Sequence, residues 1–145
     1  VQHLPLDLKI ALVCVFLQAG LTFYAAVRMG MVRVRTIREQ GIKLRDVALD
    51  GRAYPEAARQ QANNLSNQFE FPLLMYVAVV LAAVLEASSM PFALALVGYV
   101  ITRFQHRMIH VGTNRVHRRF QVFLAGLGLL FLAWVFLALG ILKVM

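Results

Sequence analysis

The stretch Asn63–His110, NNLSNQFEFPLLMYVAVVLAAVLEASSMPFALALVGYVITRFQHRMIH, decides the fold. It holds two apolar runs, Phe69–Leu85 and Met90–Ile101, on either side of a short polar turn at Glu86–Met90. The first run carries a single charge, Glu70. The second is uninterrupted but only twelve residues long, too short to cross a bilayer, which takes about 20 residues. Counting about twenty residues from Pro91 ends at His110, so the helix must continue through Arg103, His106, Arg107 and His110. These four follow an i, i+3, i+4, i+7 spacing, which is one face of a helix. The preceding helix carries a matching stripe, Asn63, Asn67 and Glu70 at i, i+4, i+7, with Asn64 alongside. Glu70 lies 18 residues before Ser88 and His106 lies 18 after it, so both sit about 27 Å from the turn. The three-residue connection Ala87-Ser88-Ser89, with Pro91 opening the next helix, makes the two helices antiparallel neighbours. A carboxylate and a basic cluster therefore meet at one height.

Outward from this hairpin lie two further apolar runs. Ile10–Val27 is relieved only by Gln18, Thr22 and a few small residues, and Phe120–Val144 is apolar with Lys143 near its end. The first reads as a true span rather than a cleaved leader, because only Lys9 precedes it and no small-x-small pattern follows. The expectation is an all-α integral membrane protein, a four-transmembrane-helix bundle in one domain over residues 1–145. Its helices are expected at about 6–30, 56–86, 90–112 and 116–144, with a cytoplasmic loop at about 31–55. Composition agrees: 60% of the 145 residues are apolar and 15% charged, against about 45–50% and about 25% in soluble domains. A soluble chain this small could not hide that much apolar surface. The single cysteine, Cys14, excludes a disulfide framework and any multi-cysteine metal cluster.

Charge sets the orientation. Fifteen Lys and Arg outnumber seven Asp and Glu, and all but Lys9 and Lys143 fall in two segments. Arg28, Arg33, Arg35, Arg38, Lys43, Arg45, Arg52 and Arg59 lie between the first two spans; Arg103, Arg107, Arg115, Arg118 and Arg119 lie between the last two. The positive-inside rule puts both segments in the cytoplasm and both termini on the other side, in a bacterial inner membrane or an equivalent. In a membrane protein the basic excess points to anionic lipid rather than nucleic acid. In the loop, Val32, Val34, Ile37, Ile42 and Leu44 interleave with basic residues, so it is expected to lie on the membrane surface.

Two readings of the polar residues stay open at this point. In one, Arg103 and Arg107 are snorkelling anchors and the asparagines are interhelical glue. In the other they line a polar cavity open to the cytoplasm, since ionisable groups at membrane depth mark sites. Glu70, two residues before Pro72, needs a partner such as Arg103. His106 and His110 at i, i+4 could share a metal, but no H-E-x-x-H pattern is present and four histidines are too few for a many-histidine diiron oxygenase; no metal is expected. Gly126, Ala133 and Gly140 recur every seven residues, a seam for close helix packing within a chain or between protomers.

These residues resemble the MAPEG family, the membrane-associated proteins in eicosanoid and glutathione metabolism, from Ile10 to the last helix. The family pattern of Asn, two residues, Glu and a nearby Pro is matched by Asn67-Gln68-Phe69-Glu70-Phe71-Pro72. The pattern Arg, two residues, His or Tyr, three residues, His or Tyr is matched by Arg103, His106 and His110. Asn114-Arg115 through Arg119-Phe120 resembles the family's approach to its last helix. The resemblance implies a homotrimer with cytoplasm-facing sites between protomers, where glutathione binds in a bent form. Carried over by position, Asn67 and Glu70 contact its peptide and amino groups, Arg103, His106 and His110 position it, and Arg119 or Arg115 stabilises the thiolate. Asn63 stands where the glutathione-binding enzymes often carry Arg, and both positions of the third-helix pair are His where the leukotriene-forming enzymes use Tyr.

Two functions follow. One is a membrane-embedded glutathione-dependent transferase or peroxidase acting on lipophilic electrophiles or hydroperoxides, favoured by the Asn67–Glu70 motif and the basic cluster. A cationic cavity suits anionic glutathione and lowers a bound thiol's pKa, and the thiolate is the nucleophile. The other is a non-catalytic lipid-binding or scaffold protein on the same fold, favoured by Asn63. The partners implied are other copies of the chain, membrane lipids and lipophilic small molecules.

Overall fold

The computed structural model describes residues 3–48 and 51–144. Helix α1, Leu6–Gln40, buries Leu8, Ala11, Cys14, Gln18, Leu21 and Ala25, a single stripe at three- and four-residue spacing. It runs ten residues beyond the expected end at 30. Nothing between Arg28 and Gln40 breaks a helix, and Arg35 and Glu39 pair at i, i+4 with 2.7 Å between them. The helix stops at Gly41, whose φ of 63° is the left-handed C-cap that glycine adopts without penalty. The expected surface loop at 31–55 is therefore shorter, and its first ten residues are helix. What remains of it holds α2, Leu44–Val47, and one 3₁₀ turn, Gly51–Ala53; residues 49 and 50 lie outside the described residues.

The second expected helix, 56–86, is two helices in line: α3, Glu56–Ser66, and α4, Phe71–Val84. After a turn in which Glu86 takes φ 51°, α5 covers Met90–Val111 and α6 covers Val116–Val144. Ser89 caps α5, its Oγ accepting from the Phe92 amide at 3.5 Å, and Pro91 occupies the first turn, where its missing N–H is no loss. Asp7 accepts from Ser88 Oγ at 2.8 Å, tying the start of α1 to this turn.

The core is centred on α5, which packs against α6, α1 and α3, while α4 packs against α1 and α6. Eleven of the 22 residues of α5 are buried, so its surroundings are mostly protein. Phe92, Leu96 and Tyr99 are enclosed with Met75, Ala78, Val79 and Ala82 of α4 and Leu130, Ala133 and Leu137 of α6. The small-residue seam works inside the chain. A Cβ at Gly126 would meet Thr102, and one at Gly140 would strike the Ala87 carbonyl, so both glycines permit close helix approach.

Among the described residues, three helices are long and apolar enough to cross a membrane: Leu6–Gln40, Glu56–Val84 taken through its break, and Val116–Val144. Large apolar side chains cover their outward faces, with Phe16, Phe23, Val84, Phe131 and Leu142 exposed. Apolar exposure on this scale suits lipid, not water. Helix α5 is long enough, about 33 Å, but Arg103 and Arg107 lower its hydropathy.

Candidate functional site

The break between α3 and α4 organises the site. Pro72 has no N–H to offer the Gln68 carbonyl four residues earlier, and its ring crowds that carbonyl. The helix tightens over its last turn, with Gln68 N bonding Leu65 O and Phe69 N bonding Ser66 O, then restarts as Leu73 N bonds Glu70 O at 3.2 Å. Backbone freed at membrane depth must find other partners. Arg103 supplies one: its Nη2 donates to the Asn67 carbonyl at 2.7 Å.

A buried polar network extends from that contact. Arg103 Nη2 also reaches Gln68 Oε1 at 3.5 Å, and Gln18 Nε2 of α1 donates to the same oxygen at 2.9 Å. Gln68 Nε2 donates to the Asn64 carbonyl at 3.2 Å. The Arg107 guanidinium donates through Nη1 to Asn64 Oδ1 and stacks 4.7 Å over the Tyr24 ring. Gln18 and Asn64 are fully buried and Arg103 is only 4% exposed, so neither arginine of α5 snorkels. Arg103 was expected to pair with Glu70; instead it serves the broken backbone, and Glu70 makes no ion pair among the described residues.

Freed from the helix ladder, the other face of the break opens onto a cavity of about 540 Å³, a volume within the range of small-molecule sites. Asn63, Ser66, Asn67 and Glu70 form one wall, His106 and His110 of α5 the second, and Val116, Arg119, Phe120 and Phe123 of α6 the third. The two imidazoles lie edge-on, ring centroids 5.8 Å apart, each with its Nδ1 buried and unbonded. Phe123 lies beside His106 at 6.2 Å and meets Phe71 edge-on at 5.5 Å, giving the cavity an aromatic flank. Arg119 is held by Asn114, whose Oδ1 accepts from its Nη1 at 2.9 Å. The arrangement offers a carboxylate, two amides, two imidazoles and a guanidinium around a space that Val116, Phe120 and Phe123 flank with apolar surface.

A sequence model of the MAPEG family matches residues 11–139. The chain belongs to the MAPEG family. Family membership and the three apolar helices make it an integral membrane protein. Comparison with curated proteins and with solved structures finds no match. Of the site residues expected from the sequence, the cavity brings together Asn63, Asn67, Glu70, His106, His110 and Arg119. It does not include Arg103, which lies behind the wall, or Arg115, which is exposed at the start of α6. Among the described residues no three His, Cys, Asp or Glu side chains cluster as metal ligands. Sequence reading passed over Gln18 and Gln68, although a glutamine within an apolar run is itself a signal of a polar partner at that depth. Phe120 and Phe123 carried no signal beyond apolarity.

Proposed function

We propose that the chain is a membrane-embedded glutathione-dependent transferase or peroxidase working in the cavity between α3, α5 and α6. The observation that carries this reading is the convergence of Asn63, Asn67, Glu70, His106, His110 and Arg119 on one cavity with an aromatic flank. The donor set fits glutathione: Glu70 for its ammonium, the asparagine amides for its peptide groups, and Arg119 for the thiolate. His106 and His110 line the cavity as well, beside the asparagines and Glu70. A fixed guanidinium favours thiolate over thiol. In the transferase reaction the thiol proton leaves to water, a carbon–sulfur bond forms, and the electrophile's leaving group departs with its electron pair. In the peroxidase reaction two glutathiones and a hydroperoxide give the disulfide, an alcohol and water. Val116, Phe120 and Phe123 would hold the apolar substrate arriving from lipid.

The same reading treats α5 as a fourth membrane span, enclosed by the other three, and three copies of the chain as the assembly. The cavity then faces the cytoplasm of a bacterial inner membrane or an equivalent, with both termini opposite, as the charge distribution favours. A second reading, a non-catalytic lipid-binding protein, is favoured by Asn63, which puts a neutral amide where a cation would help hold an anionic peptide. Turnover separates them. Glutathione-dependent conversion of an apolar electrophile or lipid hydroperoxide is expected in the wild type and lost in Arg119→Ala with helical content unchanged. No turnover in the wild type, with tightly co-purifying lipid, would favour the second reading.

A further inference from the structure

A second cleft, of about 510 Å³, lies on the other side of Asn63, between the end of α1, the 3₁₀ turn and α3. Arg33, Arg52 and Arg59 line it, with Glu56 as the one carboxylate among the described residues, and Glu56 accepts from Gln60 Nε2 at 3.3 Å. The Arg33 guanidinium is oriented by Tyr54, whose buried ring lies 5.0 Å beneath it. An oriented guanidinium beside further arginines in one cleft matches the geometry of a phosphate.

Depth narrows the source. Arg33 is 26 residues along α1 from Asp7, which bonds the Ser88 turn, a rise of about 39 Å. Arg59 precedes Ser88 by 29 residues, about 43 Å if the break costs no rise. A bilayer measures about 30 Å across its hydrocarbon and about 40–45 Å with its headgroups. With the turn at one face, the cleft lies at the headgroup layer of the other.

We propose that this cleft is a binding site for a phosphate group, from an anionic phospholipid headgroup at that surface or from a soluble phosphate ester. It requires the membrane placement but not the thiol chemistry of the neighbouring cavity, so either can fail without the other. The test is native mass spectrometry of the detergent-solubilised full chain with added phosphatidylglycerol, and with inorganic phosphate as competitor. Retained phosphatidylglycerol is expected to fall about tenfold in Arg33→Gln/Arg59→Gln, and to be unchanged in the charge-matched Arg38→Gln/Arg118→Gln. Retention that resists inorganic phosphate identifies the lipid as the source; displacement by inorganic phosphate identifies a soluble one, and either supports the site. Equal retention in the cleft variant, or equal loss in the charge-matched control, would overturn it. Arg59→Gln alone, at an exposed position, reports in the same direction if the double variant does not fold.

Discussion

The two ends of the bundle share the same helices and are built by opposite rules. Around the Ser88 turn the core is alanine and apolar side chains: Ala82, Ala93 and Phe92 are fully buried, Ala87 nearly so, and Gly140 presses against the Ala87 carbonyl. Helix α4 there is unbroken and its backbone satisfies itself. At the other end Gln18, Asn64, Gln68, Arg103, Arg107, His106 and His110 are all buried, and the chain between α3 and α4 is not helical. Apolar close packing suffices where every helix is regular. A helix broken at membrane depth needs donors from elsewhere, and Arg103 of α5 provides one. The break also releases Asn67 and Glu70 from the ladder so that they can face a cavity.

Substitutions at the two ends test this contrast. The largest effect is expected from Arg103→Ala, which leaves the part-buried Asn67 carbonyl without its donor and takes a guanidinium out of the buried network around Gln68. A loss of about 3 kcal/mol is expected from equilibrium unfolding in mixed micelles; a loss below about 1 kcal/mol would show that the broken backbone finds water or another partner instead. At the turn end, Gly140→Ala forces a methyl group against the Ala87 carbonyl and should destabilise by about 2 kcal/mol. A neutral result would mean α6 can shift away from the turn without penalty. Pro72→Ala restores an N–H where the helix is interrupted, with stability changed by no more than about 1 kcal/mol. Its informative readout is hydrogen exchange, which should slow at residues 68–72 as the ladder closes; unchanged exchange would assign the break to Arg103 rather than to the proline. The smallest effect, within about 0.5 kcal/mol, is expected for Arg35→Ala, because both partners of the Arg35–Glu39 pair are exposed.

The contrast also explains what the sequence made legible. The apolar runs gave the helices, and the spacing of Arg103, His106, Arg107 and His110 correctly put four polar side chains on one face, all of them buried in the fold. Counting from Ser88 placed Glu70 and His106 at one depth, and both line one cavity. The role of Arg103 was not legible. A carboxylate near a guanidinium in sequence terms suggests an ion pair, whereas the actual acceptor is a backbone carbonyl that becomes available only once the helix breaks. The break itself was signalled by Pro72, but proline is equally at home in the first turn of an unbroken stretch's restart. The extension of α1 to Gln40 was missed because interleaved valines and arginines were read as a surface loop, although no proline follows Pro5 before Gly41, the residue that takes the left-handed C-cap.

The most direct test of the cavity is calorimetric titration of glutathione into the purified protein in detergent, with Glu70→Gln beside the wild type. Glu70 is exposed and makes no ion pair among the described residues, so its substitution should leave the fold untouched while removing the counter-charge for the peptide's ammonium group. Saturable binding to the wild type, weakened about tenfold or more in Glu70→Gln at unchanged helical content, is the expected result. Equal binding by both proteins, or none by a folded wild type, would contradict a glutathione site between α3, α5 and α6.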